Sequence, residues 1–267
     1  MSVMTGTWYS KALNMDTSFC VILPHDSRMH RGIEPLAEGI KPSAKPKTLI
    51  LLHGLSDNWA AWAHRTSILR YAEMYDIAVV IPEVQRSFYQ DMAGGPAYFT
   101  YIAEELPALA AQMFNISTAP GDLMAAGLSM GGYGALYCGL CRPEAFRMIG
   151  CFSGANDLHD FSTNKAFLES EEFQGWANDR LGIFGAGMAV PAGSDLFALA
   201  EALSPSLRPH VFMTCGTEDF IYQHTVKMRD HLQKLGYQLG YKEWPGVHEW
   251  GVWDLSIQMM LEHFLAP

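Results

Sequence analysis

No run among the 267 residues approaches the roughly 18 consecutive apolar residues of a membrane-spanning helix. Charge is also scarce, at 17%, and the shortage falls on the basic side: 18 Lys and Arg against 28 Asp and Glu leave a net charge of −10. No basic block concentrates the few cations, since residues 41–47 read KPSAKPK, a proline-broken connection. Nucleic acid is therefore excluded as a partner. The first ten residues have neither a basic start nor an apolar run, so no secretory signal is expected. Five cysteines form an odd set, which argues against a disulfide framework and for a reducing, cytoplasmic setting. Cys138 and Cys141 have CxxC spacing. They fall late in an expected helix, away from the end that stabilises a thiolate, and no second Cys/His pair lies at zinc-binding spacing. They are expected to be small buried side chains.

What is present is a chain that is 49% hydrophobic, with 24 Gly and 14 Pro, long enough to bury a sizeable core. Short apolar runs recur at 48–52, 77–81, 123–127, 148–153 and 211–215, each separated from the next by a stretch of helix length. Runs that are apolar throughout, rather than alternating, mark strands covered on both faces. Helices are expected over 58–75, 97–114, 131–140, 194–203, 223–235 and 249–264, with a further short strand at 239–243. Alternating segments at 6–10 and 18–23 predict an antiparallel hairpin turning around Asn14-Met15-Asp16. The polar stretch 25–47 reads as a surface connection. The expectation is a single α/β domain over 1–267, with a mostly parallel, doubly wound sheet and helices on both faces. Residues 157–208 break the rhythm, with Gly182, Gly185, Gly187, Pro191 and Gly193 set among Phe161, Phe167, Phe173, Trp176 and Phe184. That insertion reads either as a lid or pocket wall or as a packed decoration.

Chemistry enters at Gly127-Leu128-Ser129-Met130-Gly131, a GxSxG pentapeptide that follows an apolar run and opens a helix rich in small residues. A strand-to-helix turn this sharp needs positions without bulk two before and two after the serine, and it lifts the hydroxyl above the sheet. Ser129 is the candidate nucleophile. A serine needs an oriented base, and in the fold that uses this motif the acid and then the histidine follow in chain order. Asp219 lies just past the strand 211–215, and His248 lies in the loop after 239–243, both at the sheet edge where such folds gather active groups. Asp157 and Glu218 compete as the acid, with Asp157 otherwise a helix cap or turn residue. His64, His224, His231 and His263 lie within expected helices and are read as facing solvent. The oxyanion needs fixed N–H donors: Met130, next after the nucleophile, and Leu55, which follows Gly54 in the loop after the first parallel strand. His53 precedes the serine and abuts that glycine, so it is read as structural.

The blocks MDTSFCVILP (15–24), LLHGLSDNWAAW (51–62), GGPAYFTYIAEELP (94–107), AGLSMGGYGALY (126–137), CGTEDFIY (215–222) and HEWGVWD (248–254) span nearly the whole chain. With them the sequence resembles the esterase D group of α/β-hydrolases, which includes S-formylglutathione hydrolases, and is most similar to its tributyrin-esterase (acetylesterase) branch. The resemblance implies the α/β-hydrolase fold, a Ser129/Asp219/His248 triad and Leu55 and Met130 as oxyanion donors. It further implies no metal or organic cofactor, hydrolysis of small-molecule esters with short acyl chains, and homo-oligomers in several members. Tyr89, Trp176 and Trp250, with Phe88 and Trp253, are candidate aromatic walls of the pocket.

Three other functions compete with a serine carboxylesterase. One is thioester hydrolysis, as of S-formylglutathione, and another is acyl transfer to a sugar hydroxyl, as in the related mycolyltransferases. The third is a binding module, which would normally carry a broken constellation, whereas this one is complete.

Overall fold

Along the strand Lys47–Leu52, Leu49 and Leu51 face one side while Ile50 and Leu52 face the other, and all four are fully buried. Burying an aliphatic side chain contributes about 1.5–3 kcal/mol, so a strand buried on both faces is held from both. The computed structural model describes residues 1–24, 36–41, 43–169, 173 and 175–266. The surface connection expected over 25–47 thus lies in part, at 25–35 and 42, outside the described residues.

Eight strands form one sheet: β1 (Ser2–Ser10), β2 (Met15–Leu23), β3 (Lys47–Leu52), β4 (Ile77–Pro82), β5 (Leu123–Leu128), β6 (Met148–Phe152), β7 (His210–Gly216) and β8 (Leu239–Trp244). Their spatial order is β1-β2-β4-β3-β5-β6-β7-β8. β2 runs antiparallel to both β1 and β4, and every other pairing is parallel. This is the α/β-hydrolase arrangement expected from the sequence. The hairpin is longer than its alternation suggested and turns earlier, with Ser10 paired to Met15. Asn14, at φ 54°, supplies the left-handed residue that closes it.

Residues 58–75 form two helices rather than one, Ala61–Arg65 and Ile68–Met74. Thr66 breaks the run. Its hydroxyl donates to the Trp62 carbonyl at 2.6 Å and accepts the Ile68 N–H at 3.3 Å, the local competition that makes Thr a poor helix interior. The Ser67 N–H that this exposes is taken by Asp254 of the C-terminal helix Trp250–Leu265 at 2.7 Å. The second oxygen of that carboxylate accepts the Tyr71 hydroxyl at 3.2 Å. Residues 97–114 do run on as one helix, but Tyr101–Glu105 wind as a π-helix just before Pro107, which has no N–H to continue the ladder.

Between β6 and β7 the insertion contributes helices Leu158–Thr163, Lys165–Leu168, Trp176–Phe184 and Leu196–Ala202. Polar contacts tie it down: a hydrogen bond between Asp160 and His224 at 2.9 Å, and ion pairs of Asp157 with Lys227 at 3.2 Å and of Asp179 with Arg86 at 2.8 Å. His224, expected to face solvent, is buried, because Asp160 gives its Nε2 a partner. Among the described residues no helix is long and apolar enough to cross a membrane.

Asp254 caps one helix from another, so its removal leaves a part-buried N–H without an acceptor. Asp254→Ala is expected to lower the unfolding free energy by about 1.5–3 kcal/mol, the range for hydrogen bonds to a charged group. The midpoint and slope of urea unfolding measure this, and a change below about 0.5 kcal/mol would leave the bridge without energetic weight.

Candidate active site

Because β3, β5, β7 and β8 are parallel, the loops that leave their carboxyl ends open at one edge of the sheet. At the end of β5, Ser129 holds φ 53° and ψ −118°, a strained conformation for a residue with a side chain, and the helix Met130–Cys141 begins immediately after it. Backbone bonds hold the strain in place. The Ser129 N–H donates to Phe152 O at 2.9 Å, and the Ser129 carbonyl accepts the N–H groups of Gly132, Tyr133 and Ala155 at 3.0–3.2 Å. The flanking glycines are needed for space. A Cβ on Gly131 would sit 2.4 Å from Leu52 O, and one on Gly127 would sit 2.5 Å from the Gly131 carbonyl.

The loops after β7 and β8 meet as closely. A Cβ on Gly216 would lie 2.2 Å from Gly246 O. The Thr217 N–H donates to Trp244 O at 2.9 Å and the Glu218 N–H to Gly246 O at 3.0 Å, while the Glu218 carboxylate accepts the Gly246 N–H. Glu218 is thus a clasp between the two loops. Within the clasp, His248 Nδ1–H donates to both oxygens of Asp219, at 2.9 and 2.8 Å. The Asp219 side chain is fully buried and also accepts the Ile221 N–H at 3.0 Å. Burial alone would raise its pKa. The hydrogen bond and charge of His248, with the N–H of Ile221 and the hydroxyl of Ser153, outweigh that and hold the carboxyl below its ordinary value. Asp157, the competing acid, caps the helix Leu158–Thr163 through the Asp160 N–H at 2.9 Å and pairs with Lys227.

The third loop follows β3. His53 is fully buried, and its Nε2 accepts the Val84 N–H at 3.2 Å, so Nδ1 carries the proton and donates to Gly54 O at 2.8 Å. The Gly54 carbonyl also accepts the Asp57 N–H, and the Asp57 carboxylate accepts the Gly54 N–H at 3.3 Å. Burial pushes the Asp57 carboxyl up, against the Gly54 bond and the charge of Arg65. Since the two sides of a trans peptide point opposite ways, tying Gly54 C=O to the histidine turns the Leu55 N–H away from that ring. Among the described residues neither the Leu55 nor the Met130 N–H meets an internal acceptor.

Leu55, Ser129, His248 and Trp250 line one cavity of about 460 Å³. The Esterase family's sequence model matches residues 10–264. The chain belongs to the Esterase family. With that membership go carboxylic-ester hydrolysis and the α/β-hydrolase fold, and the resemblance to the esterase D group is borne out. This esterase is 29% identical to an acetyl esterase of Caldicellulosiruptor saccharolyticus, over 98% of this chain and 97% of that one. The fluorophosphonate-binding serine hydrolase F of Staphylococcus aureus superposes with a TM-score of 0.83 at 26% identity, covering 100% of this chain and 99% of the other. An S-formylglutathione hydrolase of the same organism superposes at 0.81 and 26%, covering 99% and 98%.

Three of the five expected wall aromatics of the esterase lie elsewhere, Phe88 among them, buried against Tyr133, Phe161 and Trp176. Tyr89 is fully buried, its ring against Gly134 and its hydroxyl donating to His53 O at 2.8 Å. Trp176 is buried against Phe88 and Phe161, with Nε1 donating to Phe161 O at 3.2 Å. Tyr89 was expected at the cavity because its loop follows the strand 77–81 at that sheet edge, and Trp176 because the insertion was a candidate pocket wall. Each is core instead, because its polar atom finds a backbone carbonyl there. Trp250 does line the cavity, with Trp253, Leu128, Phe173 and Phe220. Phe220, whose ring centroid lies 4.5 Å from that of His248, was missed, although its place beside Asp219 signalled it. Arg65 and Arg86 were missed as well, and nothing in their local sequence marks them. The CxxC thiols sit away from this cavity, and burial pushes Cys141 up to about 11 and Cys138 higher. Among the described residues no three His, Cys, Asp or Glu side chains gather as a metal site.

A carboxyl held below its ordinary value stabilises the fold above its unfolded value, about pH 4, and loses that contribution as pH falls through the folded value. The difference in unfolding free energy between the wild type and Asp219→Asn should therefore shrink as pH falls below about 4. Urea titrations across that range measure it, and a gap that widens on acidification would contradict the ionised, compensated Asp219.

Proposed function

We propose that this esterase is a serine carboxylesterase for short acyl chains, with Ser129 as nucleophile, His248 as base and Asp219 as the acid that orients it. The carrying observation is the two-oxygen contact of buried Asp219 on His248 Nδ1, with His248 and the strained Ser129 in the wall of the same cavity. Ser129 Oγ attacks the ester carbonyl carbon and gives its proton to His248 Nε2. The carbonyl oxygen, now negative, accepts the N–H groups of Leu55 and Met130. Collapse breaks the bond to the leaving oxygen, which takes the proton from His248. Water then attacks the acyl-serine in a second round with the same proton path. None of these steps calls for a metal or an organic cofactor.

The short-chain reading rests on the wall. Leu55, Leu128, Phe173, Phe220, Trp250 and Trp253 share about 460 Å³ that acyl and leaving groups must divide between them. Each methylene that fits contributes about 0.8 kcal/mol, and each that does not costs about 1–3 kcal/mol in overpacking. A second reading, hydrolysis of a thioester with a charged thiol such as S-formylglutathione, is favoured by one specific feature. Arg65 and Arg86 both reach the cavity wall, where either suits a carboxylate on the leaving group. The name of the staphylococcal relative points the same way.

For p-nitrophenyl esters, kcat/KM should peak between about two and six acyl carbons and fall at least about tenfold by ten, a difference that ~1.4 kcal/mol supplies. An optimum at about twelve carbons or longer would overturn the short-chain reading. S-formylglutathione belongs in the same panel, and a kcat/KM at least about tenfold above the best ester would favour the thioester. Ser129→Ala should reduce kcat by about 10⁶-fold with the fold intact by circular dichroism, and near-normal turnover would refute the serine mechanism.

A further inference from the structure

The turn that carries the proposed oxyanion donor Leu55 is closed by a carboxyl to which the proposed mechanism gives no part. Gly54, Leu55, Ser56 and Asp57 form a four-residue turn in which the Asp57 N–H donates to Gly54 O at 3.2 Å. The Asp57 side chain answers in the other direction, its Oδ2 accepting the Gly54 N–H at 3.3 Å. Leu55 is the second residue of that turn, so the two bonds bracket the peptide whose N–H is the proposed donor. The same carboxyl also confines Gly54 beside the strand that leads to the nucleophile. A Cβ on Gly54 would lie 2.8 Å from Asp57 Oδ2 and 2.7 Å from Leu128 Cδ1, and Leu128 immediately precedes Ser129.

Packing alone does not hold this turn. Leu55 is buried, but Ser56 is exposed and Asp57 only half-buried. Ser56, Asp57 and Arg65 line the cavity that holds Ser129 and His248, and they also line a second cavity of about 640 Å³. A turn bordered by two cavities keeps its shape through its hydrogen bonds. The Gly54 carbonyl accepts His53 Nδ1–H and the Asp57 N–H, and the Gly54 N–H has the Asp57 carboxyl as its acceptor. That last bond calls for an oxygen, not for a charge. A negative charge in the wall of the cavity where an oxyanion forms opposes that oxyanion.

We propose that Asp57 is a positioning residue for the oxyanion loop: by accepting the Gly54 N–H it closes the turn that aims the Leu55 N–H into the cavity, and it acts through its oxygen rather than its charge. The proposal rests on the reading of Leu55 as an oxyanion donor. Removing the acceptor leaves the Gly54 N–H unpaired and releases one of the two bonds that bracket Leu55. A displaced donor weakens the bond to the oxyanion more than the bond to the ground-state carbonyl, so the loss falls on kcat rather than KM.

The test compares Asp57→Asn, Asp57→Ala and Asp57→Leu on the full chain, with p-nitrophenyl acetate as substrate and the fold checked by circular dichroism. Asn keeps an acceptor oxygen at the same reach without the charge. Ala and Leu have no acceptor, and Leu keeps nearly the same size. Asp57→Ala and Asp57→Leu should each lower kcat about tenfold with KM within about twofold. Both should also bind phenylboronic acid about tenfold more weakly, because its tetrahedral adduct on serine puts an oxygen where the oxyanion forms. Asp57→Asn should keep kcat and boronate affinity within about threefold of wild type. Wild-type values of both in either folded variant without an acceptor would overturn the proposal. A loss in Asp57→Asn as large as about tenfold would overturn it too, since the charge would then carry the effect, and this arm decides alone if neither of the others folds. Leu55→Pro runs in parallel, because proline suits the second position of such a turn and removes the N–H outright. Its kcat should fall about 10²–10³-fold. An unchanged kcat in Leu55→Pro would refute Leu55 as an oxyanion donor, whereas loss there without loss in Asp57→Ala or Asp57→Leu strikes the Asp57 proposal alone.

Discussion

The contact on which the rest of this site depends is the close approach of the turn after β5 to the end of β3. The Gly131 backbone lies so near the carbonyls of Leu52 and His53 that no Cβ fits between them. That approach brings two loops together that are some 75 residues apart in sequence, one carrying Ser129 and the other Leu55. Its far side is braced by Tyr89, whose ring packs on Gly134 of the helix and whose hydroxyl binds His53 O. A residue expected in the pocket wall thus supports both the nucleophile's helix and the loop proposed to hold the oxyanion. Neither role is available to a residue free to touch substrate.

A second brace crosses the sheet the other way. Residues 152–155 bind the Ser129 backbone with one set of groups and reach β7 with another, the Ser153 N–H on Thr214 O. The proposed nucleophile and the proposed acid belong to strands that are not neighbours, and β6 lies between them. Placing both within fractions of an ångström therefore requires the end of β6 to be fixed, and positive φ at Ser153 is how the chain turns there without leaving either bond unmade. Strain at Ser129 and Ser153 is stored in one connected hydrogen-bonded unit.

The strands along the chain, the mostly parallel sheet with its antiparallel hairpin and the three candidate loops were legible in the sequence, since continuous apolar runs and a glycine-flanked serine are local signals of non-local structure; the spatial order of the strands was not. The side-chain environment was not. Trp176 and Tyr89 are aromatic residues on the correct edge, and only the tertiary location of a carbonyl acceptor decides whether such a ring faces core or cavity. The break at Thr66 was hidden for a related reason. Its hydroxyl competes with the helix locally, but the break persists because Asp254, 187 residues away, takes the Ser67 N–H. His224 looked solvent-facing by helical spacing and is buried because the insertion supplies Asp160. Arg65 and Arg86 are ordinary surface residues in sequence, and only the folding together of their loops places both at the cavity.

The proposed proton path and the cavity wall share side chains, and this limits how the site can vary. Phe220 and Trp253 line the cavity, and their rings also pack on His248 at 4.5 and 4.8 Å. The Asp219 side chain is fully buried beneath His248, and a lower local dielectric there strengthens its hydrogen bonds. Replacing either ring to admit a longer acyl chain would therefore also alter the proposed base. Trp250 is constrained in a different way, stacked edge-on with Trp62 and Trp253 at 5.3 and 5.2 Å. Phe173 and Arg65 are different. Among the described residues the rings that meet Phe173 are Phe161 and Phe167 of the insertion and Phe220, and Arg65 lies at the rim, 5.8 Å over the Trp250 ring. Side chains at these two positions can change while the rings on His248, and with them the proposed proton path, stay in place.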